Sequence, residues 1–207
     1  MMSLTPESFD FLSNLSTLWS VILGALLATV GGLAGGQLEA FFESRRRERD
    51  AALFFSEVLS TLKIILDLAA NAKKIGDPFG PVTMRMLRSG RREIDIYERN
   101  RETLYALKSG DLRARIHTTI LRLTMPLDGV FDASAAIETV AAQLKAPHIA
   151  DAEKIELEHR LLQIHETRDN TFAFLLESME QVRPLAAELG TISGQSLASF
   201  EQAVRNS

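Results

Sequence analysis

The sequence predicts an all-α protein: one N-terminal transmembrane helix continuing into a cytoplasmic antiparallel helical bundle. Three observations predict it. Residues 11–38 run 28 positions without a charge, the length and character of a helix that spans a bilayer. The first basic residues are Arg45, Arg46, Arg47 and Arg49, all on one side of that run, which is how a single span declares its topology. Beyond them apolar residues recur every three or four positions, and no alternating strand pattern is found.

The first element is the span itself, Thr17 to Leu38. Its 22 residues reach roughly 33 Å as an α-helix, against a hydrocarbon core of about 30 Å. A core helix of a water-soluble protein normally keeps a polar face, and this stretch has none. Residues 1–44 carry Glu7, Asp10, Glu39 and Glu43 but no Lys or Arg. Residues 1–16 are therefore expected outside the membrane and the C-terminal side in the cytoplasm. A cleaved signal peptide would need a basic n-region, which is missing. Trp19 sits at the outer end of the span, where an indole anchors at headgroup level.

Small residues recur at every fourth position of the span: Ser20, Gly24, Ala28, Gly32 and Gly36, with Gly31 and Gly35 alongside. Positions four apart stack on one helix face, so these residues make a shallow groove that another helix backbone can approach. The expected partners are the lipid bilayer and either a second copy or a different membrane protein.

Residues 39–190 read as one cytoplasmic bundle. No Pro or Gly interrupts the chain from Gln37 to Lys74, so the first cytoplasmic helix should continue directly from the membrane. Ala51, Phe55, Val58, Leu62, Ile65, Ala69 and Ala72 form its stripe, and Gly76 to Pro81 ends it. A second helical segment spans about 82–108, weakened at Ser89-Gly90. Asp111 is a candidate cap for the third helix, whose stripe runs Leu112, Ile116, Ile120, Leu123, Leu127, Val130, Ile137, Ala141 and Leu144. Pro126 falls inside that pattern and should kink it. The fourth helix starts near Asp151 as its cap, with the stripe Leu157, Leu161, Ile164, Arg168, Phe172, Leu175, Met179 and Val182. Pro184 should bend its end and Gly190 to Gly194 should break it, leaving 191–207 as a tail or short helix. Short turns between long amphipathic helices imply antiparallel, coiled-coil-like packing.

Composition narrows the chemistry. Without cysteine the chain has no disulfide, thiol nucleophile or thiolate metal site. The net charge of −4 comes wholly from residues 1–44. Residues 45–122 hold 17 basic and 10 acidic residues, a net of +7, while 123–207 hold 6 and 13, a net of −7. Complementary helix surfaces, or a basic half near an anionic leaflet, would account for the split. Glu156 and His159 have di-iron spacing but no second such pair, and His165 with Asp169 lacks a third ligand. They read as surface pairs. No nucleophile elbow or phosphate-binding glycine loop is present. The chain is expected to be non-enzymatic, with no catalytic residue, cofactor or metal.

Residues 91–122 are dense in Arg, Tyr and carboxylates. Interleaved acids argue against a nucleic-acid partner. Tyr97, Asn100, Arg101 and Tyr105 are the candidates for a buried polar network. This stretch, IYERNRETLYALKSGDLRARI, together with an anchor ending in ESRRRERDAA, resembles a loose group of bacterial single-pass membrane proteins with small cytoplasmic helical domains. The resemblance implies a bacterial inner-membrane setting and carries over no functional residue. The function expected from all this is a membrane-anchored scaffold that binds protein partners or itself. The alternative is a membrane-acting effector or channel subunit, of stress or phage-defence type, that oligomerises through the Gly-rich helix.

Overall fold

A computed structural model describes the backbone of residues 6–76, 78–147 and 149–194, and side chains from residue 19 onward except at 30, 31, 33 and 34. Every regular element among the described residues is helical. The order is α1 (Pro6–Ile75), α2 (Pro81–Arg99), a 3-10 turn (Arg101–Ala106), α3 (Gly110–Leu144), α4 (Asp151–Ser178), a second 3-10 turn (Met179–Gln181) and α5 (Val182–Ser193). Two compact units divide the chain, Met1–Arg46 and Arg47–Ser207.

The expected transmembrane helix does not find support here. Among the described residues no helix is long and apolar enough to cross a membrane. Residues 17, 18, 30, 31, 33 and 34 of that stretch contribute no described side chain. Of the segment 1–16, residues 1–5 lie outside the described residues and 6–16 are already helical.

The second unit is a helical bundle. Its share of α1 buries Ala51, Ala52, Phe55, Val58, Leu59, Leu62, Leu66 and Ala69, a 3–4 stripe wider than the sequence pattern marked. Ile65 and Ala72 are only half-buried. Lys73 and Lys74 close α1, where cations suit the carbonyl end of the helix dipole. Pro81 opens α2 at a first-turn position whose N–H would have no helical partner.

Gly90 does not weaken α2, which passes through it unbroken. A Cβ there would lie 3.3 Å from Leu66 Cδ2 and 3.5 Å from Leu62 Cδ1, so glycine marks the close approach of α2 to α1. That packing offsets a helix-propensity cost of about 1 kcal/mol. Helical structure does not reach Lys108 as one α-helix. It ends at Arg99 and resumes as the 3-10 turn.

Ser109, rather than Asp111, caps α3: its Oγ accepts from Leu112 N at 3.2 Å. Asp111 lies in the first turn and binds Arg115 instead. α3 runs through Pro126 without ending, with the proline ring buried in the core. From Leu112 to Val130 the stripe is fully buried, whereas Ile137, Ala141 and Leu144 are half-buried. The cap of α4 is Ala150, one residue before the expected Asp151, so Asp151 and Glu153 act through the first-turn dipole. Phe172, Leu175, Met179 and Val182 are buried, while Leu157, Leu161, Ile164 and Arg168 are half-buried.

The α-helix tightens to 3-10 at Met179–Gln181, just ahead of Pro184, which then falls in the first turn of α5. Gly190 does not break that helix. Gly194 does, at φ 76 with its N–H bonded to Gly190 O, the left-handed ending that glycine adopts without a side-chain penalty. Residues 195–207 of the expected tail lie outside the described residues.

Candidate functional site

The first unit offers surface and little else. Every described side chain from Trp19 to Arg46 is exposed. Trp19, Val21, Leu23, Leu26 and Leu27 are each more than half exposed, and Leu38, Phe41 and Phe42 repeat the pattern further on. With Ile22, also exposed, these residues cover most of the helix circumference. Ser20, Gly24, Ala28, Gly32 and Gly36 are exposed too. A Cβ added at Gly24, Gly32 or Gly36 would meet nothing within 4 Å. Thr29 Oγ1 donates to Ala25 O at 2.8 Å, so its hydroxyl is satisfied within the helix.

The four arginines after the run divide in role. The Arg45 guanidinium lies 5.0 Å from the centre of the Phe41 ring. Arg46 and Arg47 are exposed. Arg49 does more than mark topology, because its Nη2 donates to Ser193 O at 3.2 Å and so caps the carbonyl end of α5. Beside it Glu48 accepts from Lys108 N at 3.2 Å and pairs with Lys108 Nζ at 3.0 Å.

The expected polar network is not assembled. Tyr97 is buried, but Asn100 and Arg101 are exposed and Tyr105 is 79% exposed. Asn100 Nδ2 bonds its own helix at Ile96 O. Tyr97 instead meets His117: its hydroxyl lies 3.1 Å from Nδ1 and the rings stack at 6.5 Å. Phe55 abuts it edge-on at 5.9 Å. Burial pushes the Tyr97 phenol up, Arg101 pulls it down, and Glu98 pushes it further up.

Two hubs escaped the sequence reading. Arg91 binds Asp95 at 2.6 Å, Asp128 at 3.0 Å and Glu98 at 3.7 Å. Lys73 Nζ lies 4.6 Å from the Phe79 ring and 4.7 Å from Phe172, and it pairs with Asp169 at 2.7 Å. Arg168 covers the other side of this cluster, 3.9 Å from the Phe79 centre. A guanidinium on an otherwise apolar stripe was the available signal. His165 and Asp169, one turn apart, therefore part company: His165 Nδ1 lies 3.1 Å from Arg168 Nη2, and Asp169 goes to Lys73. Glu156 and His159 are exposed. Among the described residues no three His, Asp or Glu side chains gather as a metal site.

No known family, curated protein or solved structure matches the chain. The candidate site is therefore read from this molecule alone. Its charged hubs tie helices to one another, and among the described residues the side chains from 19 to 42 present an exposed apolar surface.

Proposed function

We propose that this chain is a membrane-anchored helical interaction protein, held in a bacterial inner membrane by residues 17–38 and assembled there with other helices. The carrying observation is the all-round exposure of Trp19, Val21, Leu23, Leu26 and Leu27 inside a 28-residue run that has no charge. A helix apolar on every side is stable when something apolar surrounds it, and exposed apolar area on that scale in water drives association. Lipid meets the requirement. The one-sided arginines support an exported N-terminus and a cytoplasmic second unit. The open groove over Gly24, Gly32 and Gly36 supports close approach of a second helix, either from another copy or from a membrane protein partner.

The test is the mass of the gently extracted complex. Wild-type chain should sediment with membranes after alkaline carbonate and run in mild detergent as a discrete oligomer. Replacing Gly24, Ala28 and Gly32 by Leu should lower the mass of the complex, measured at high salt, without loss of membrane retention. Release of the wild-type chain by carbonate would overturn the anchor, and an unchanged mass in the triple variant would overturn the groove.

A further inference from the structure

We propose a second contact, distinct from the N-terminal helix: copies of the chain associate head to tail, the outer face of α2 in one copy seating on the outer face of α4 in the next. It stands whether or not residues 17–38 enter a bilayer.

α2 turns Thr83, Met84, Leu87, Gly90, Ile94 and Tyr97 inward. Opposite them, at i, i+3, i+7 and i+14, lie Arg85, Arg88, Arg92 and Arg99, all exposed. Among the described residues Arg85, Arg88 and Arg92 form no ion pair, since Arg91 engages Asp95 and Glu98. Val82 is exposed on the same side, and Ile96, half-exposed at its edge, packs in part against the core. The face is basic, with apolar residues set into it.

α4 is its complement. Leu157, Leu161, Ile164 and Arg168 turn toward the bundle. On the other side run Asp151, Ile155, Glu158, Leu162 and Glu166, with Ile155 67% and Leu162 69% exposed. Among the described residues these three carboxylates make no ion pair either, and Lys154 and Arg160 fall outside the stripe.

The spacings agree. Arg85, Arg92, Ile96 and Arg99 are separated by 7, 4 and 3 residues; Asp151, Glu158, Leu162 and Glu166 by 7, 4 and 4. Laid parallel, the faces bring Arg85 to Asp151, Arg92 to Glu158, Ile96 to Leu162 and Arg99 to Glu166 within one residue, about 1.5 Å of rise. Arg88 then lays its aliphatic stem over Ile155. An anionic lipid surface would satisfy the arginines but gives no role to the matched acidic and apolar face on α4. A second copy accounts for both faces and for the +7 and −7 halves of the sequence. Because the two surfaces differ, the contact repeats from copy to copy and closes a ring or extends a row.

The absence of native cysteine allows a direct test on the full chain in mild detergent at low salt. Chains carrying Ile96→Cys are mixed with chains carrying Leu162→Cys and treated with a short bis-maleimide. The mixture should give a two-chain product that neither chain gives alone. Arg88→Glu with Arg92→Glu in the first chain should reduce it about tenfold or more. Adding Glu158→Arg with Glu166→Arg to the second chain should restore it. Circular dichroism should show unchanged helicity in each variant, as all the altered side chains but Ile96 are exposed. No product in the starting mixture, or no rescue by the reversed pair, overturns the proposal. Arginine-dependent flotation with phosphatidylglycerol vesicles, without rescue, would assign the α2 face to lipid instead.

Discussion

In residues 51–69 of α1 the apolar side chains concentrate on one buried stripe, with Leu68 exposed off it, whereas in residues 19–42 the described apolar side chains are exposed. The same backbone geometry runs through both segments. What differs is where charge and polarity are placed. In 51–69, Glu57, Lys63 and Asp67 occupy positions off the stripe, so one face is left for the bundle. In 19–38 no charge marks an outer face, so no direction is favoured. A helix with a stripe is completed by its own chain; a helix without one is completed by its surroundings.

Paired aspartate substitutions test that contrast most strongly. Leu23→Asp with Leu27→Asp should weaken membrane retention by about 5–7 kcal/mol, from about 2.5–3.5 for each carboxylate at the centre of a span. Carbonate extraction would then release the chain, while the thermal unfolding of the bundle should stay where it was. Leu62→Asp should do the reverse. Leu62 is completely buried, and an unpaired charge there should cost about 4 kcal/mol or more and abolish the cooperative unfolding transition. If the first variant unfolds the bundle or the second leaves it intact, the two segments are not the separate cases described.

A smaller effect sharpens the buried side. Tyr97→Phe removes the hydroxyl contact to His117 and keeps the ring beside Phe55. The loss should be about 1 kcal/mol, a fall in Tm of roughly 2–4 °C for a domain of this size. An unchanged Tm would mean that the hydroxyl is as well served by water. Smallest is Glu93→Gln. Burial raises the Glu93 carboxyl above its ordinary value of 4.5, so the folded state resists its ionisation. The stability lost to that resistance is absent at acid pH and grows as pH rises through the carboxylate range. Glu93→Gln should therefore raise Tm slightly at pH 7 and leave it nearly unchanged at pH 3, as followed by circular dichroism. A gain confined to acid pH would reverse the assignment.

Periodicity carried most of the fold into view. The stripes of α1, α3 and α4 were legible because core packing imposes a repeat of three to four residues over many turns. Glycine and proline were less informative. Gly90 and Gly190 lie inside helices, and the close contact that favours Gly90 involves Leu66, 24 positions away in the chain. The proposed polar network failed for a related reason. Helical spacing put Tyr97 and Arg101 on one face, but the chain leaves the α-helix after Arg99, and the 3-10 turn carries Tyr105 outward. His117, which does meet Tyr97, belongs to the next helix. The small-residue register over 20–36 was visible at once, because its signal is local.

The bond from Arg49 to Ser193 spans 144 positions. A ribosome adding about 5–20 residues per second takes roughly 7–30 s to cover that distance. Throughout that interval Arg49 is already made and the helix end it caps is not. Ser56 waits in the same way for Ala186, 130 positions later. The nascent bundle thus has its first wall long before its last, and Ser56 has no Ala186 carbonyl to bond until α5 has been made. This domain can therefore close only once α5 has been made.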